Sequence, residues 1–353
     1  MILKETMAYY SSGDGIAFCT LLDATKAFDR VDFCKLFRDL IKREIPPSYL
    51  RLLLNMYTNN IMRISWNGMC SDVFVAKNGV KQGGVISPVL FCIYIDGLLQ
   101  LLCKSKVGCF IGDIFVGALA YADDLVLLAP TARAMLSMLH VCDQYATEYS
   151  MVFNACKSKC FVASRHKQPL AKSGKPTFYI GGKEIEFVEE WPHLGNLVHA
   201  NGSDQKDISN KKNTLCGQIN NVLCYFGKCD PITKLRLMRS YCSRLYGSVL
   251  WDLFNPCVED VCVAWRKGLR RVWNIPHHTH SYLLAPLCGT LPLRDELCWR
   301  CINFIHNCLS SDSDSVRFVA HHGVFCRRML SPIGSNAQLF ALQCESGQFY
   351  FAE

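Results

Sequence analysis

Three aspartates stand where apolar runs end, and together they have the chemistry of a phosphoryl-transfer site. Asp23 closes the apolar run CTLL, and Asp123-Asp124 separate two apolar runs in GALAYADDLVLLA. Mg²⁺ prefers oxygen ligands and keeps water and phosphate in its shell, so two or three carboxylates suffice for a two-metal site. Asp is also common in solvated turns, which is the alternative for each acid taken alone. The trio makes nucleotide polymerisation the first hypothesis.

The elements that would position these acids follow from the spacing of apolar residues. The run 15–22 has the length of a strand and ends at Asp23. Further along, the patterns predict a helix from Val31 capped by Asp32, a second helix in SYLRLLLNMYTNN and a hairpin at Asn67-Gly68. After these they predict a long apolar helix over 88–102, two or three strands over 108–130 and an amphipathic helix capped by Thr131.

The second half of the chain has a different pattern. A polar connection at 165–176 leads to strands around Gly181-Gly182, and residues after Asp204 have helical spacing. Asp230-Pro231 predicts the cap and first position of a helix that runs on through Trp251. A mixed half followed by a helical half predicts an α+β fold.

The charge balance is compatible with nucleic-acid binding, and the longest apolar window argues against a membrane span. The chain has 353 residues and a net charge of +8, of which 165–353 carry +6 and 1–164 carry +2. A basic C-terminal half suits a nucleic-acid backbone, although ordinary surface charge gives the same balance. Asp96 and its polar neighbours interrupt the apolar window 85–103, which favours a buried helix over a membrane span.

Cysteine usage indicates a reducing compartment. The chain has 21 cysteines, and its first residues lack the pattern of a signal peptide. We therefore expect reduced thiols in an intracellular protein. Cys298 and Cys301, with His306 and Cys308, have the residue types of a zinc site, but their apolar helical surroundings favour a buried helix face.

Three motifs in order resemble those of reverse transcriptases, closest to the LINE-type (non-LTR) retrotransposons. They are LLDATKAFDRVD, NGVKQGGVISPVLFCIYI and YADDLVLLA. The resemblance implies that Asp23, Asp123 and Asp124 are catalytic and hold two Mg²⁺ ions, with Mn²⁺ as a possible substitute. It implies that Phe28, five residues after Asp23, blocks a ribose 2′-hydroxyl, although a core Phe would look the same.

Further matches extend the implied nucleotide and primer contacts. The Gln-Gly step of the second motif is Gln82-Gly83, and it is followed by Ser-Pro at 87–88. FNACKSKC resembles a fourth motif and implies that Lys157 lies near the triphosphate, with Lys159 as its rival. WPHLGN resembles the turn that grips the primer and implies this role for Leu194 and Gly195.

The resemblance also implies the domain organisation. A polymerase palm, an antiparallel sheet with helices packed on one face, would precede a mostly helical thumb. The expected divisions are 1–164 for the palm with partial fingers, 165–205 for the primer-grip connection and 206–353 for the thumb and C-terminal region. Five basic residues of the last part are expected to contact the backbone of a template–primer duplex: Arg236, Arg239, Lys267, Arg270 and Arg271.

The implied activity is RNA-directed DNA polymerisation. Its partners would be an RNA template, a DNA primer or target DNA and dNTPs, without a membrane. The protein would be found in the nucleus and cytoplasm as a ribonucleoprotein. Most of the fingers and the endonuclease of the family are not seen, so the chain is expected to be the palm and thumb part of a retroelement protein. The resemblance implies nothing about oligomeric state.

Two other readings compete with this one. The first is a non-catalytic nucleic-acid-binding remnant that retains the basic thumb. The second is a polymerase of another lineage, a group II intron maturase or a viral RNA-dependent polymerase. The viral enzymes usually have Gly before the paired acids and lack an aromatic at the position of Phe28.

Overall fold

The computed structural model describes residues 1–12, 15–165, 176–327 and 330–345. The chain forms two compact units that do not follow chain order. The sheet unit comprises Ile16–Val162 and Gln168–Val188, and the helical unit comprises Met1–Gly15, Ala163–Lys167 and Glu189–Glu353. The predicted functional division at 164 and 205 stays a prediction.

The centre of the sheet unit is a five-stranded sheet with the order β13-β10-β1-β9-β8. Its strands are β1 (Ala17–Asp23), β8 (Ala118–Tyr121), β9 (Asp124–Ala129), β10 (Lys159–Ala163) and β13 (Glu186–Phe187). The pairs β1–β9 and β8–β9 are antiparallel, whereas β10–β13 is parallel. The sheet is therefore mixed. The predicted antiparallel sheet is corrected at the edge formed by β10 and β13. The chain reaches β13 through the hairpin β11–β12 (Tyr179–Ile180 and Lys183–Glu184), so β13 returns in the direction of β10.

Four helices accompany this sheet: α2 (Phe33–Lys42), α3 (Pro47–Thr58), α4 (Ser87–Lys104) and α5 (Ala132–Glu148). The predicted caps are confirmed, because Asp32 Oδ1 accepts from the Lys35 amide at 3.2 Å and Thr131 Oγ1 from the Ala134 amide at 3.1 Å. Helices α4 and α5 pack on each other and on β8 and β9. This fixes one face of the sheet in the core.

Three further antiparallel pairs belong to the sheet unit as described: β2–β5 (Ile61–Met62 and Phe74–Val75), β3–β4 (Ser65–Trp66 and Met69–Cys70) and β6–β7 (Phe110–Ile111 and Ile114–Phe115). The predicted turn at Asn67-Gly68 is confirmed, since both residues have positive φ, 48° and 81°, as a two-residue hairpin turn requires. Residues 108–130 form four strands, β6 to β9, rather than the two or three predicted.

Helix α4 is a core helix of the sheet unit. Within the described residues it alone has the length and hydropathy to cross a membrane. However, its residues Leu90, Phe91, Tyr94 and Leu98 are buried in the apolar core together with α2 and α5. The preference for a buried helix is consistent with this packing.

Within its described residues, the helical unit contains one hairpin and eight α-helices. The elements are α1 (Ile2–Tyr10), β14 (Glu190–His193), β15 (Asn196–His199), α6 (Gln205–Tyr225), α7 (Pro231–Tyr241), α8 (Cys257–Trp273), α9 (Ser281–Leu287), α10 (Leu293–Leu309), α11 (Asp314–His321) and α12 (Pro332–Glu345). Asp230 caps α7 as predicted, accepting from the Thr233 amide at 2.9 Å.

The predicted continuation of α7 to Trp251 is wrong. The helix ends at Tyr241, and turns follow in which Leu245 and Gly247 have φ of 37° and 79°. A Cβ on Gly247 would lie 1.8 Å from Asn196 Oδ1, so the chain turns here against the β14–β15 hairpin. This contact lies far away in sequence, which is why helical spacing alone did not reveal the end of the helix.

Cysteines of α10 belong to the core of the helical unit. Cys298 and Cys301 are 1% and 0% exposed, and burial raises the pKa of Cys301 to about 12. A zinc ligand must be a thiolate, which this environment disfavours. No group of three or more potential metal ligands is found in the described part of the chain. The predicted buried helix face is confirmed.

Candidate active site and nucleic-acid interface

The sheet brings the first and third predicted acids together across two strands. Asp23 is the last residue of β1 and Asp124 the first of β9, and the two are direct partners in the antiparallel register. Opposite residues of such a pair project from the same face of the sheet. The Asp23 amide and carbonyl bond to residues 158 and 154, away from β9. The two acids therefore form a non-hydrogen-bonded pair, in which side chains approach most closely.

A tight turn places the second acid beside them. Tyr121 pairs with Asp124 across β8–β9, so Ala122 and Asp123 are the two turn residues. Ala122 has a φ of 52°, a left-handed conformation that costs a non-glycine residue about 1 kcal/mol. The structure thus brings Asp23, Asp123 and Asp124 to one end of the sheet.

These three acids concentrate negative charge at one end of the sheet. Burial raises the pKa of the Asp124 carboxyl, and the charges of Asp123 and Asp23 raise it further. No ion pair to any of the three forms within 1–12, 15–165, 176–327 and 330–345. Their oxygens do not converge as a ready-made three-ligand group. A cluster of carboxylates without a counter-charge fits a divalent cation that also keeps water and phosphate ligands.

Phe28 lies between the first acid and the second motif. It begins a 3₁₀ turn (Phe28–Arg30), is half-buried and stacks on Phe91 of α4, with ring centroids 5.0 Å apart. Its carbonyl accepts from the Val80 amide at 2.8 Å, and the Val31 carbonyl accepts from the Gly79 amide at 2.9 Å. The residue is thus both a packed aromatic and the anchor of the Gln82-Gly83 loop.

Gln82 and Gly83 themselves are exposed at the tip of this loop. Gly83 has a φ of 78° and open space where a Cβ would stand. Gly79 differs, because with a φ of 89° its Cβ would lie 2.8 Å from the Asp29 carbonyl oxygen. The loop can approach the first motif this closely only with glycine at 79.

The two candidate lysines of the fourth motif have different surroundings. Lys159 Nζ is paired with Glu186 at 2.7 Å. Lys157 is exposed on a turn that Asn154 organises, since Asn154 Oδ1 accepts from the amides of Cys156 and Lys157 at 3.0 and 3.3 Å. In the part of the chain that is described, the Lys157 ammonium forms no hydrogen bond or ion pair, so it is the better placed of the two to meet an anion.

In the helical unit, Leu194 and Gly195 form the two-residue turn of β14–β15, with φ of 46° and 73°. Helix α6 holds this hairpin. Buried Asp207 accepts from the Leu197 amide at 2.9 Å, and Lys211 Nζ donates to the Gly195 carbonyl at 3.2 Å. The turn is therefore a fixed feature of this unit. Burial lowers the pKa of the adjacent His193.

The five basic residues of α7 and α8 divide into two groups. Arg270 donates to the Thr279 carbonyl at 2.8 Å, and Arg271 to Asn220 Oδ1 at 2.6 Å, so both have structural contacts. The other three are exposed and form no side-chain hydrogen bond or ion pair with described residues: Arg236, Arg239 and Lys267. These three are the better candidates for phosphate contacts.

A comparison with protein families identifies the sheet unit. The sequence profile described as reverse transcriptase (RNA-dependent DNA polymerase) matches residues 5–188, more than half of the chain. The chain belongs to this family. Its members are RNA-directed DNA polymerases that generally use divalent metal ions and act on a nucleic-acid template and primer.

Curated relatives of this chain come from retrotransposons. It is 30% identical over 208 residues to the Pol polyprotein of element R2DM of Drosophila melanogaster. This alignment covers 57% of the chain and 19% of the relative. It is 27% identical over 278 residues to the R2 polyprotein of Nasonia vitripennis, covering 76% and 26%. It is 32% identical over 312 residues to the transposon TX1 149 kDa protein of Xenopus laevis, covering 84% and 22%. The resemblance to non-LTR elements is confirmed.

The chain spans 19% to 26% of the length of these three relatives. Among solved structures, apo telomerase from Candida tropicalis is similar, with a TM-score of 0.46 and 11% identity over 98% of the chain and 55% of the telomerase chain.

Two residues that lie within the quoted motifs but received no role from them support the site. Gly79 allows the loop to approach Asp29, and Ser158 accepts a hydrogen bond from the Asp23 amide at 3.1 Å. Both contacts join segments distant in sequence. A glycine three residues before Gln82 was visible in the sequence, but nothing in its neighbours indicated what it would touch.

Proposed function

We propose that the chain carries the polymerase site of a non-LTR retrotransposon and extends a primer 3′-hydroxyl with deoxynucleotides along an RNA template. The observation that carries this proposal is the Asp23–Asp124 register with Asp123 in the adjoining turn. Asp23, Asp123 and Asp124 would hold two Mg²⁺ ions, or Mn²⁺ in their place. Bound there, the metal would lower the pKa of the primer hydroxyl and neutralise charge on the leaving pyrophosphate.

The chain's own residues would supply orientation and charge. Phe28, fixed by its stack on Phe91, would close the space that a ribose 2′-hydroxyl needs. The backbone at Gln82-Gly83 would lie along the template base and incoming nucleotide, because glycine permits close approach. Lys157 would meet the triphosphate. Such positioning supplies much of the rate in phosphoryl transfer.

The helical unit would supply further contacts with the nucleic acid. The Leu194-Gly195 turn would support the primer strand, and the exposed cations Arg236, Arg239 and Lys267 would contact duplex phosphates. Each phosphate contact adds about one unit to the slope of log K against log salt. A ribonucleoprotein in nucleus and cytoplasm is the localisation that fits such partners.

Template-primed incorporation tests the function. We expect the full chain to incorporate dTTP on poly(rA)/oligo(dT) with Mg²⁺, and to stop when the RNA template is omitted or when EDTA is added. Salt-dependent binding of the RNA–DNA duplex without any incorporation would instead support the non-catalytic nucleic-acid-binding remnant. Incorporation of UTP in preference to dTTP would support a polymerase of the RNA-synthesising lineage.

Substitution of Phe28 tests the sugar selectivity. Phe28→Val removes the ring edge and should raise the ratio of UTP to dTTP incorporation about 10-fold or more, since a shape mismatch in an apolar pocket is worth about 1–3 kcal/mol. The ratio of kcat/KM values for the two nucleotides is the measurement. Phe28→Tyr keeps the ring and should keep the selectivity. An unchanged ratio in Phe28→Val would leave Phe28 as a core residue only.

A further inference from the structure

The backbone of Asp23 is held on one edge by a turn rather than by a neighbouring strand. Strand β10 lies beside β1 but begins only at Lys159. The residues before it fill the gap. The Thr25 amide donates to the Val152 carbonyl at 2.8 Å, and the Asn154 amide donates to the Asp23 carbonyl at 2.9 Å. An isolated antiparallel bridge joins Ala24 and Phe153.

Ser158 completes this restraint with its side chain. Its Oγ accepts from the Asp23 amide at 3.1 Å, in the place where a strand would offer a carbonyl. Ser158 is 0% exposed, and its own amide donates to the Asn154 carbonyl at 2.8 Å. The hydroxyl is therefore a buried acceptor whose position is fixed by its own backbone.

The neighbouring acid makes this restraint matter. Asp23 and Asp124 form a non-hydrogen-bonded pair, so no backbone bond ties Asp23 to β9 at this position. Like charges directly opposite on a sheet repel and tend to separate the strand ends. The two bonds from the turn, one from Asn154 and one to Ser158, fix the Asp23 backbone from its other edge and so limit how far this repulsion can displace it.

We propose that Ser158 is a positioning residue of the polymerase site, whose hydroxyl holds the Asp23 backbone so that its carboxylate stays opposite Asp124. The inference rests on the proposed function for its metal ligands. It also links Asp23 to the turn that presents Lys157, because Asn154 serves both. A side chain that fixes a metal ligand in this way commonly changes metal affinity or activity 10- to 100-fold when removed.

The test compares Ser158→Ala with a buried hydroxyl removed from β1, the strand that Ser158 holds. Thr20 is 0% exposed on β1, and its Oγ1 contacts Met135 Sδ and Cys160 Sγ, each at 3.3 Å. Thr20→Val therefore loses a buried hydroxyl of β1 that lies on the opposite face from Asp23. Ser158→Thr keeps the acceptor and serves as the conservative rescue.

Two measurements do not require polymerisation. Hydrogen exchange at the Asp23 amide should accelerate about 10-fold in Ser158→Ala and remain near wild type in Ser158→Thr and Thr20→Val. Mn²⁺ binding to the full chain, followed by electron paramagnetic resonance, should weaken about 10-fold in Ser158→Ala alone. Ser158→Ala and Thr20→Val could instead both lower the Tm and have the same Mn²⁺ affinity as each other. Ser158 would then be only structural, and the inference would be overturned.

These readouts separate the inference from the proposed function. A wild-type chain that binds Mn²⁺ but incorporates no nucleotide would count against the polymerase, while weaker Mn²⁺ binding by Ser158→Ala would still support the positioning role. A wild-type chain that incorporates dTTP with the same Mg²⁺ half-saturation as Ser158→Ala would leave the polymerase intact and refute the role of Ser158.

Discussion

Replacing Asp124 by Asn is expected to lower dTTP incorporation at least about 100-fold and, in the absence of metal, to raise the Tm. Both effects have one cause. The carboxylate is a charge that a divalent cation needs and that Asp23 and Asp123 repel. Loss of a single electrostatic group in a preorganised site costs about 10²–10³ in kcat. Relief of a like-charge cross-strand pair is worth about 0.2–1 kcal/mol, or about 1–3 °C in a unit of this size.

The stability gain should depend on pH in a defined direction. The pKa of Asp124 is raised in the folded chain, so folding is favoured by the protonated form. That contribution is fully present below the unfolded-state pKa of about 3.9 and is lost as pH rises through the folded pKa. Asn cannot ionise, so Asp124→Asn should exceed the wild type in Tm at pH 7 and match it near pH 3.

The matched control lies on another two-residue hairpin turn of the same unit. Asp113 is exposed between β6 and β7 and is not one of the three clustered acids. Asp113→Asn should leave both incorporation and the pH dependence of Tm unchanged. Activity of Asp124→Asn within a few-fold of Asp113→Asn would remove Asp124 from the catalytic site. Saturating Mg²⁺ should raise the wild-type Tm and leave that of Asp124→Asn nearly constant.

Local patterns predicted the parts of this fold that local forces determine. The apolar runs that end at Asp23 and begin at Asp124 predicted two strands. The short polar side chains of Asp32 and Thr131 predicted helix starts, because a cap needs only residues three positions apart. The site residues themselves came from the motifs. What no local pattern contains is the register that sets Asp23 opposite Asp124, since it joins strands about a hundred residues apart.

The errors and omissions have the same origin. Helix α7 ends at Tyr241 because the following turn packs on Asn196, a contact over some fifty residues. The guanidinium of Arg270 donates to the Thr279 carbonyl, a contact that its helical position did not indicate, and its phosphate contact stays a prediction. Tertiary partners decide such cases, and a single sequence does not name them.

Replacing Gly79 by Ala is expected to destabilise the protein more than the Gly→Ala substitution of any other glycine in the motif NGVKQGGVIS. The new Cβ would stand 2.8 Å from the Asp29 carbonyl oxygen and 2.9 Å from its Cα, and backbone cannot move aside as a side chain can. A left-handed φ of 89° adds about 1–2 kcal/mol for a residue with a Cβ. Overpacking adds about 1–3 kcal/mol, so the two costs together predict a loss of about 2–5 kcal/mol.

Gly83→Ala separates the two contributions. Gly83 has a similar φ of 78° in the same loop, but nothing lies within 4 Å of its Cβ position. It should therefore show only the conformational cost of about 1–2 kcal/mol. Denaturant unfolding gives both values, and hydrogen exchange of the Val80 amide, which donates to the Phe28 carbonyl, reports the local effect. Equal losses in the two variants would mean that the loop does not pack on Asp29.

Gly79→Ala and Gly83→Ala also test whether the fold of the loop determines the selectivity for deoxynucleotides. If the Gly79 contact holds the loop against the first motif, its loss should displace Phe28 as well, since Val80 and Phe28 share a backbone hydrogen bond. Gly79→Ala should then raise the ratio of UTP to dTTP incorporation among molecules that remain folded, whereas a purely global loss of stability would lower both rates together. A raised ratio at a temperature well below Tm would show that this close backbone approach positions the Phe28 ring, for which we propose a contact with the sugar.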